Sequence, residues 1–353
     1  MSTEKTWAGP LVLAAAFAAA AGFSGEISAA VSEAVNRCLN IIIPSLFAVM
    51  ALSQLLISGR GAKVLAIPFY PVRKLILPLD SRLFTLFIIS VLSGYPVGLR
   101  LISQLYRQGR IDKSTAENMC CFCYCGGPAF YCGAVGRGVF ADSDVGWLIF
   151  VSIFLSDLLM GAVMTRLHPF KVPWDAPSPV PGAEALTDAV TDTGRALFGV
   201  CMMIMFCSAL MAVPEAAGVF DFIYSYFNIN HNTLTLIKAC FEISFLTELR
   251  GMPYGLLPEI TAVCAMGGGC IILQLIALKD RELSLKKFLL TRLPAAIISA
   301  VFCSALSPLF VGVAKQASTQ SGLLVNFNNF IPSICLISMI FLLNLKKGLV
   351  FSE

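Results

Sequence analysis

The stretch LSGYPVG, Leu92 to Gly98, interrupts an apolar run in which a membrane-spanning helix has no reason to break. Gly94 and Gly98 permit positive φ, and Pro96 removes a backbone donor and moves Tyr95 out of the helical region, so the stretch reads as a turn. The composition around it puts that turn inside a bilayer. Of 353 residues, 57% are hydrophobic and 13% charged, against about 25% charged in an ordinary soluble domain. Mean hydropathy is +0.81.

The flanks of the turn decide its topology. Gly59 to Arg82 carries Arg60, Lys63, Arg73, Lys74 and Arg82, and Leu99 to Glu117 carries Arg100, Arg107, Arg110 and Lys113. Short basic loops stay in the cytoplasm, so a single crossing would strand one of them outside. A chain that dips in and returns keeps both inside. Each arm, Leu83 to Val91 and Val97 to Tyr106, is about ten residues or roughly 15 Å, half the hydrocarbon thickness. LSGYPVG is therefore expected at the tip of a re-entrant helical hairpin, where irregular backbone must be buried by protein or line a wet cavity.

Apolar runs of spanning length occur at Trp7 to Phe23, Cys38 to Ser58, Asn118 to Phe140, Val145 to Leu167, Ala196 to Val213, Leu257 to Leu278, Phe288 to Val313 and Ile331 to Leu345. The first is read as a retained helix in preference to a signal peptide. Gly25 to Asn36, Ala141 to Asp144 and Pro214 to Asn232 lack Lys and Arg, and Ala314 to Phe330 has only Lys315, so these loops go outside. Arg166 to Arg195, Lys279 to Lys287 and Lys346 to Lys347 go inside, with both termini cytoplasmic. A second hairpin is expected over Leu234 to Tyr254, entering from outside. The predicted fold is all-α: a multi-pass cell-membrane protein of eight spanning helices and two re-entrant hairpins in an inverted-topology repeat, an organisation common in secondary transporters. Its divisions are 1–35 (first helix and outer loop), 36–167 (first repeat), 168–194 (Pro-rich cytoplasmic linker), 195–313 (second repeat) and 314–353 (last helix).

The run LSGYPVGLRLISQLYRQGRIDKSTAENMCCFCYCGGPAFYCGAVGRGVF, Leu92 to Phe140, resembles the sporulation integral membrane protein YlbJ-like family, of the gate or nucleoside-recognition domain group. The likeness is carried by the tip motif, by Gln108, Gly109, Ile111, Ala116 and Glu117, and by the Gly-Pro-x-Phe and Gly-x-Val-Gly segments. FEIS around Glu242 and GGGCIILQ from Gly267 to Gln274 are similar to its second half. The resemblance spans roughly Asn36 to Leu345 and implies a gate-domain protein linked to spore development, distantly similar to concentrative nucleoside transporters. The chain departs from the family at Tyr124 and Cys125, where Asn residues are usual, and at Cys270 and Ile272, where Ser and His are usual. A drier site follows from those departures.

Candidate site residues follow from depth and backbone. Asp157 sits mid-span in VSIFLSDLLMGAV, where a charge demands a cavity or a partner. Glu242, with Ser244, lies near the second tip, where a half-helix end and freed carbonyls bind ions. Ser93, Gly94, Tyr95, Pro96 and Gly98 form the first tip, and Gln104 lies on its return arm. Gly126, Gly127 and Pro128 break one span and Gly267 and Gly268 another, with Gln274 six residues beyond Gly268. Glu248 and Arg250 read as an interfacial ion pair. CCFCYCGG, Cys120 to Gly127, lacks the paired ligand spacing of structural zinc, and its cysteines read as small residues allowing close helix packing. No metal or cofactor is expected. The two histidines, His168 and His231, fall in loops, and without a nucleophile paired to a base an enzyme is not expected. Lys and Arg are dispersed over short loops, which excludes a nucleic-acid face. The partners implied are the bilayer, a small polar solute or ion, and a membrane-protein partner or second copy. The leading function is a transporter or permease; the alternative is a non-transporting scaffold of spore assembly.

Overall fold

The computed structural model describes residues 14, 17–58, 64, 67–168, 170, 182–249 and 251–310. Most of the first span, the last span, most of the Pro-rich linker and Arg250 lie outside the described residues. Those described fold entirely as helices and connections, in the order α1 Ser24–Arg37, a π-helical turn Cys38–Ile42, α2 Ile43–Ser58, α3 Tyr70–Leu75, α4 Ser81–Ser93 and α5 Tyr95–Arg107. Next come α6 Lys113–Cys120, α7 Gly127–Phe130, a π-helical segment Tyr131–Arg137, α8 Gly138–Phe140 and α9 Ser143–Leu167. The second half comprises α10 Ala183–Ala216, α11 Val219–Phe227, α12 His231–Phe241, 3-10 turns Ile243–Glu248 and Tyr254–Leu256, α13 Leu257–Met266, α14 Gly268–Leu278 and α15 Lys286–Phe310.

Among the described residues four helical stretches are long and apolar enough to cross a membrane: Ser143–Leu167, Ala183–Ala216, Tyr254–Leu278 and Lys286–Phe310. At 1.5 Å per residue, a 25-residue helix such as α9 or α15 extends about 38 Å, enough for a hydrocarbon core of about 30 Å with some tilt. Phe198, Met202, Phe206 and Leu210 recur every fourth residue along α10 and are all exposed, as are Leu289, Leu290, Leu293 and Ile297 on α15. These stripes suit contact with lipid, since a soluble chain rarely exposes contiguous apolar surface of that extent.

Each half repeats one order: a long helix, a chain reversal, an interrupted helix, then an unbroken helix. The two unbroken helices, α9 and α15, pack together, and the Ser156 hydroxyl donates to the Ala295 carbonyl at 3.0 Å. Gly146 lets α9 approach the π-helical segment, because a Cβ there would stand 2.5 Å from the Tyr131 carbonyl. Small residues at such crossings replace the hydrophobic drive that lipid removes.

The basic connections at 99–117 and 279–287 meet. Arg107 pairs with Asp280 at 3.0 Å, the Tyr106 hydroxyl donates to Glu282 at 2.5 Å, and Ser284 N donates to Glu117 at 3.0 Å. Elsewhere Gly251 N donates to the Val139 carbonyl at 2.8 Å, and Phe140 stacks on Tyr254.

Several sequence expectations are corrected. Gly25 to Asn36 is not a loop: α1 runs through the π-helical turn into α2 without interruption. Pro214 to Asn232 likewise contains α11, and His231 opens α12 instead of lying in a loop. The interval 168–194 is not linker throughout, since α10 begins at Ala183, 13 residues before the expected span. Absence of Lys and Arg locates a side of the membrane but carries no information about helicity, which is why these segments were misread.

Candidate functional site

Two chain reversals and two helix interruptions bring the two halves together. The first reversal is Gly94, the single residue between α4 and α5, held at φ 100° and ψ 166°, a conformation open to glycine and strained for any side chain. The helices fold back at once. Gly98 of α5 lies so close to α4 that a Cβ on it would collide with Ser90 Cβ and stand 2.6 Å from the Cys123 carbonyl. Two expectations shift here. Tyr95 and Pro96 start α5 in helical conformation, because Pro is tolerated where the N–H would be unpaired anyway. Gly98 is helical too and serves close approach, not a positive φ. Beside the tip, the Ser93 and Ser53 hydroxyls hydrogen-bond at 2.9 Å.

The first interruption is 121–126, between α6 and α7, beside that reversal. Gly127, at φ 78°, is pressed against the tip: a Cβ on it would lie 3.1 Å from Gly94 N and from the Leu92 carbonyl. Gly94 in turn faces the Gly126 carbonyl. Pro128 sits in the first turn of α7.

The second half repeats this pairing with a different reversal. The return arm after α12 is the 3-10 turn Ile243–Glu248, shorter than the expected α-helical arm. Glu242, buried and extended, caps that turn by accepting from Ser244 N at 3.2 Å and from the Ser244 hydroxyl. Gly267 and Gly268, at φ 81° and 77°, separate α13 from α14. Gly268 packs against the Ala239 and Phe241 carbonyls and Ile243 N, so this interruption seats on its own reversal just as the first does. The Gln274 amide donates to Cys270 Sγ at 3.5 Å, and the field of Glu242 reaches Cys38, Cys207 and Cys270.

Tyrosines join the two halves. The Tyr95 hydroxyl lies 2.5 Å from the Cys264 carbonyl on α13 and 3.0 Å from the Tyr131 hydroxyl, and Gly126 N lies 2.8 Å from that same Tyr131 oxygen. A carbonyl only accepts, so Tyr95 gives its proton to Cys264 and Tyr131 must donate to Tyr95. The result is a directed chain, Gly126 N–H to Tyr131 to Tyr95 to Cys264, from the first interruption to the helix that ends at the second. Tyr124 makes a parallel link, donating to the Met266 carbonyl at 3.1 Å. Its hydroxyl occupies the space a Gly267 side chain would need. Gly267→Ala is therefore expected to lower stability by about 2 kcal/mol, combining left-handed strain with a displaced Tyr124. Tyr124→Phe in the same chain should recover part of it, read as melting temperatures of the single and double variants.

Asp157 is 1% exposed and its Oδ2 has no hydrogen-bond partner. It follows Ser156 on α9, whose hydroxyl bonds the Ala295 carbonyl of α15, the helix that also carries Arg292. Arg292, 4% exposed, donates to the Cys121 carbonyl and stands 4.7 Å from the ring centroids of both Tyr124 and Phe288, which pack edge-on against each other. Sequence reasoning missed Arg292 because Phe288 to Val313 was taken as a plain apolar span; a lone arginine within that run was the available signal. Tyr131 and Cys264 carried no signal at all.

The candidates do not all converge. Gln104 lies apart, lining a cavity of about 400 Å³ with Gln54, Gln108, Asp188, Asp192 and Arg195. The Gln54 amide donates to Asp192 at 3.3 Å. Cys120, Cys121, Cys123 and Cys125 are free and buried, and no group of three or more metal-ligating side chains converges among the described residues.

Apolar helices, exposed apolar stripes and paired interruptions define an all-helical integral membrane protein. Among characterised proteins, the chain is 24% identical over 298 residues to the sporulation integral membrane protein YlbJ of Bacillus subtilis strain 168, covering 74% of this chain and 73% of that one. The match supports the YlbJ-like family that the tip motif resembles. No family model matches the chain, and no solved structure matches it.

Proposed function

We propose that this protein is a gate-type transporter, linked to sporulation, that moves a small polar or ionic solute by alternating access. It would comprise eight spans and two re-entrant hairpins in an inverted repeat. The observation that carries this reading is the joining of both halves' interruptions through Tyr95, Tyr124 and Tyr131. Paired broken helices that meet inside a membrane protein supply backbone polar groups where an otherwise apolar interior has none. The repeated order of elements supports the repeat, and the meeting of the basic connections at 99–117 and 279–287 supports the assignment of sides. A non-transporting scaffold of spore assembly is the second reading, favoured by the tyrosines that fill the space between the interruptions and by the separate position of Gln104.

The test is a thermal-shift screen of the purified protein against nucleosides, dicarboxylates and metal ions, followed by uptake into proteoliposomes. A transporter is expected to be stabilised by one class at millimolar concentration and to accumulate it above protein-free vesicles. Absence of stabilisation across all classes would put the scaffold reading ahead.

A further inference from the structure

We propose that Asp157 is a proton-binding site, occupied in this conformation, and that its proton is exchanged by moving Arg292 between the Cys121 carbonyl and the Asp157 carboxylate. In the transport reading above, on which the coupling alone rests, that proton is the coupling ion.

The argument begins with the two orphaned atoms. Asp157 Oδ2 and Arg292 Nε are both buried and both without hydrogen-bond partners, on two helices that the Ser156–Ala295 hydrogen bond holds together beside them. An ionised carboxylate and a guanidinium so placed would close an ion pair, because each buried charge left alone is strongly disfavoured. No ion pair within 4.0 Å involves Asp157 among the described residues. Arg292 instead donates to a carbonyl and packs against two aromatic rings. That arrangement suits a neutral carboxylic acid.

The surroundings select a proton over a metal cation. The interruption against which Arg292 rests presents Cys121, Cys123, Tyr124 and Cys125, no group of three or more metal-ligating side chains converges among the described residues, and the Ser156 hydroxyl next to Asp157 is committed to the Ala295 carbonyl. Hard cations require several oxygen ligands, and thiols, a phenol and a guanidinium do not provide them. A proton needs one oxygen.

Release of the proton has a mechanical result. The acid becomes carboxylate plus a free proton, and the new charge attracts the guanidinium away from Cys121. The carbonyl freed in that step belongs to the first interruption, whose residue Tyr124 bonds Met266 beside the second. Proton exchange at Asp157 is thereby tied to the link between the halves, through a single side chain with two alternative acceptors.

Difference infrared spectroscopy of the full chain in lipid nanodiscs tests this without any solute. At neutral pH the wild-type protein is expected to show the carbonyl band of a protonated carboxylic acid, sensitive to deuterium exchange. Asp157→Asn should lack it, whereas Glu242→Gln, which alters the other buried carboxyl, should retain it. Asp157→Asn should also melt close to wild type, since amide and neutral acid are similar in volume and charge. Two results overturn the proposal: no Asp157-dependent band between neutral and mildly acidic pH, or a large drop in melting temperature in Asp157→Asn, the sign of a lost ion pair. Failure of the solute screen, by contrast, would remove the transport reading and leave the proton site standing.

Discussion

Gly98→Val is expected to prevent accumulation of folded protein. The position is helical, so backbone strain is not the cause; the cause is the absence of space. A Cβ alone collides with Ser90 Cβ and approaches the Cys123 carbonyl to 2.6 Å, and valine adds two methyl groups to that contact. Neither neighbour can yield. Ser90 belongs to α4, which is buried on every face from Leu83 to Val91, and its hydroxyl is held by the Phe87 carbonyl at 2.8 Å. Cys123 belongs to the first interruption, wedged by Gly126 and Gly127 against the tip. Overpacking a well-filled core usually costs about 1–3 kcal/mol, and a backbone carbonyl in the way puts this case at or above that limit. The measurement is the yield of monodisperse protein in size-exclusion chromatography, with melting temperature on whatever survives. Gly98→Ala combined with Ser90→Gly should be milder than Gly98→Ala alone, because it removes one of the two collisions. A Gly98→Val protein melting within about 2 °C of wild type would show that the two arms are not packed as described.

How much of this was legible follows from the range over which each interaction acts. The break at Gly94 is local chemistry, and Gly-Tyr-Pro announces it. Gly126 to Pro128 and Gly267 to Gly268 are equally local, and both were readable as interruptions. The reason for Gly98 was not, because a helical glycine needed for close approach looks the same in sequence as one needed for a turn. The return arm of the second reversal was misjudged for a related reason. Ile243–Glu248 is as apolar as a helix, but Glu242 caps a tight 3-10 turn, and the sequence does not distinguish the two windings over six residues. What lay wholly out of reach is the joining of the halves. Tyr95 and Cys264 are 169 positions apart, and Tyr124 and Met266 are 142 apart. Nothing in a tyrosine's immediate neighbours states which distant carbonyl it will meet. Charge counting suffered the opposite limit: it grouped the connections at 99–117 and 279–287, which are hydrogen-bonded to each other, yet passed over Arg292 because one arginine does not alter the sum over a long apolar run.

Arg292→Met is expected to destabilise the protein by about 3 kcal/mol, with two effects opposing each other. Removing a buried charge lifts its desolvation penalty, and methionine fills much of the same volume. Against that, the Cys121 carbonyl loses its donor within an interruption that has no helical partner to offer, and a bond to a charged donor contributes about 1.5–3 kcal/mol. The Tyr124 and Phe288 faces also lose a desolvated cation, each such contact contributing up to about 2 kcal/mol. The losses outweigh the gain because an orphaned carbonyl at that depth cannot turn to water. Arg292→Lys should recover little, since a compact ammonium cannot pack a planar group against the paired rings while also reaching the carbonyl. Chemical or thermal unfolding of the single variants gives these values, and the double variant with Asp157→Asn gives the sharper result. If Asp157 is a neutral acid in this conformation, its replacement by Asn changes little whether or not Arg292 is present, and the two substitutions add to within about 0.5 kcal/mol. If Asp157 were ionised, Arg292→Met would leave its charge uncompensated, and Asp157→Asn would then relieve a penalty of several kcal/mol. The sign and size of that coupling energy decide between a proton carried by the carboxyl and a conventional buried ion pair.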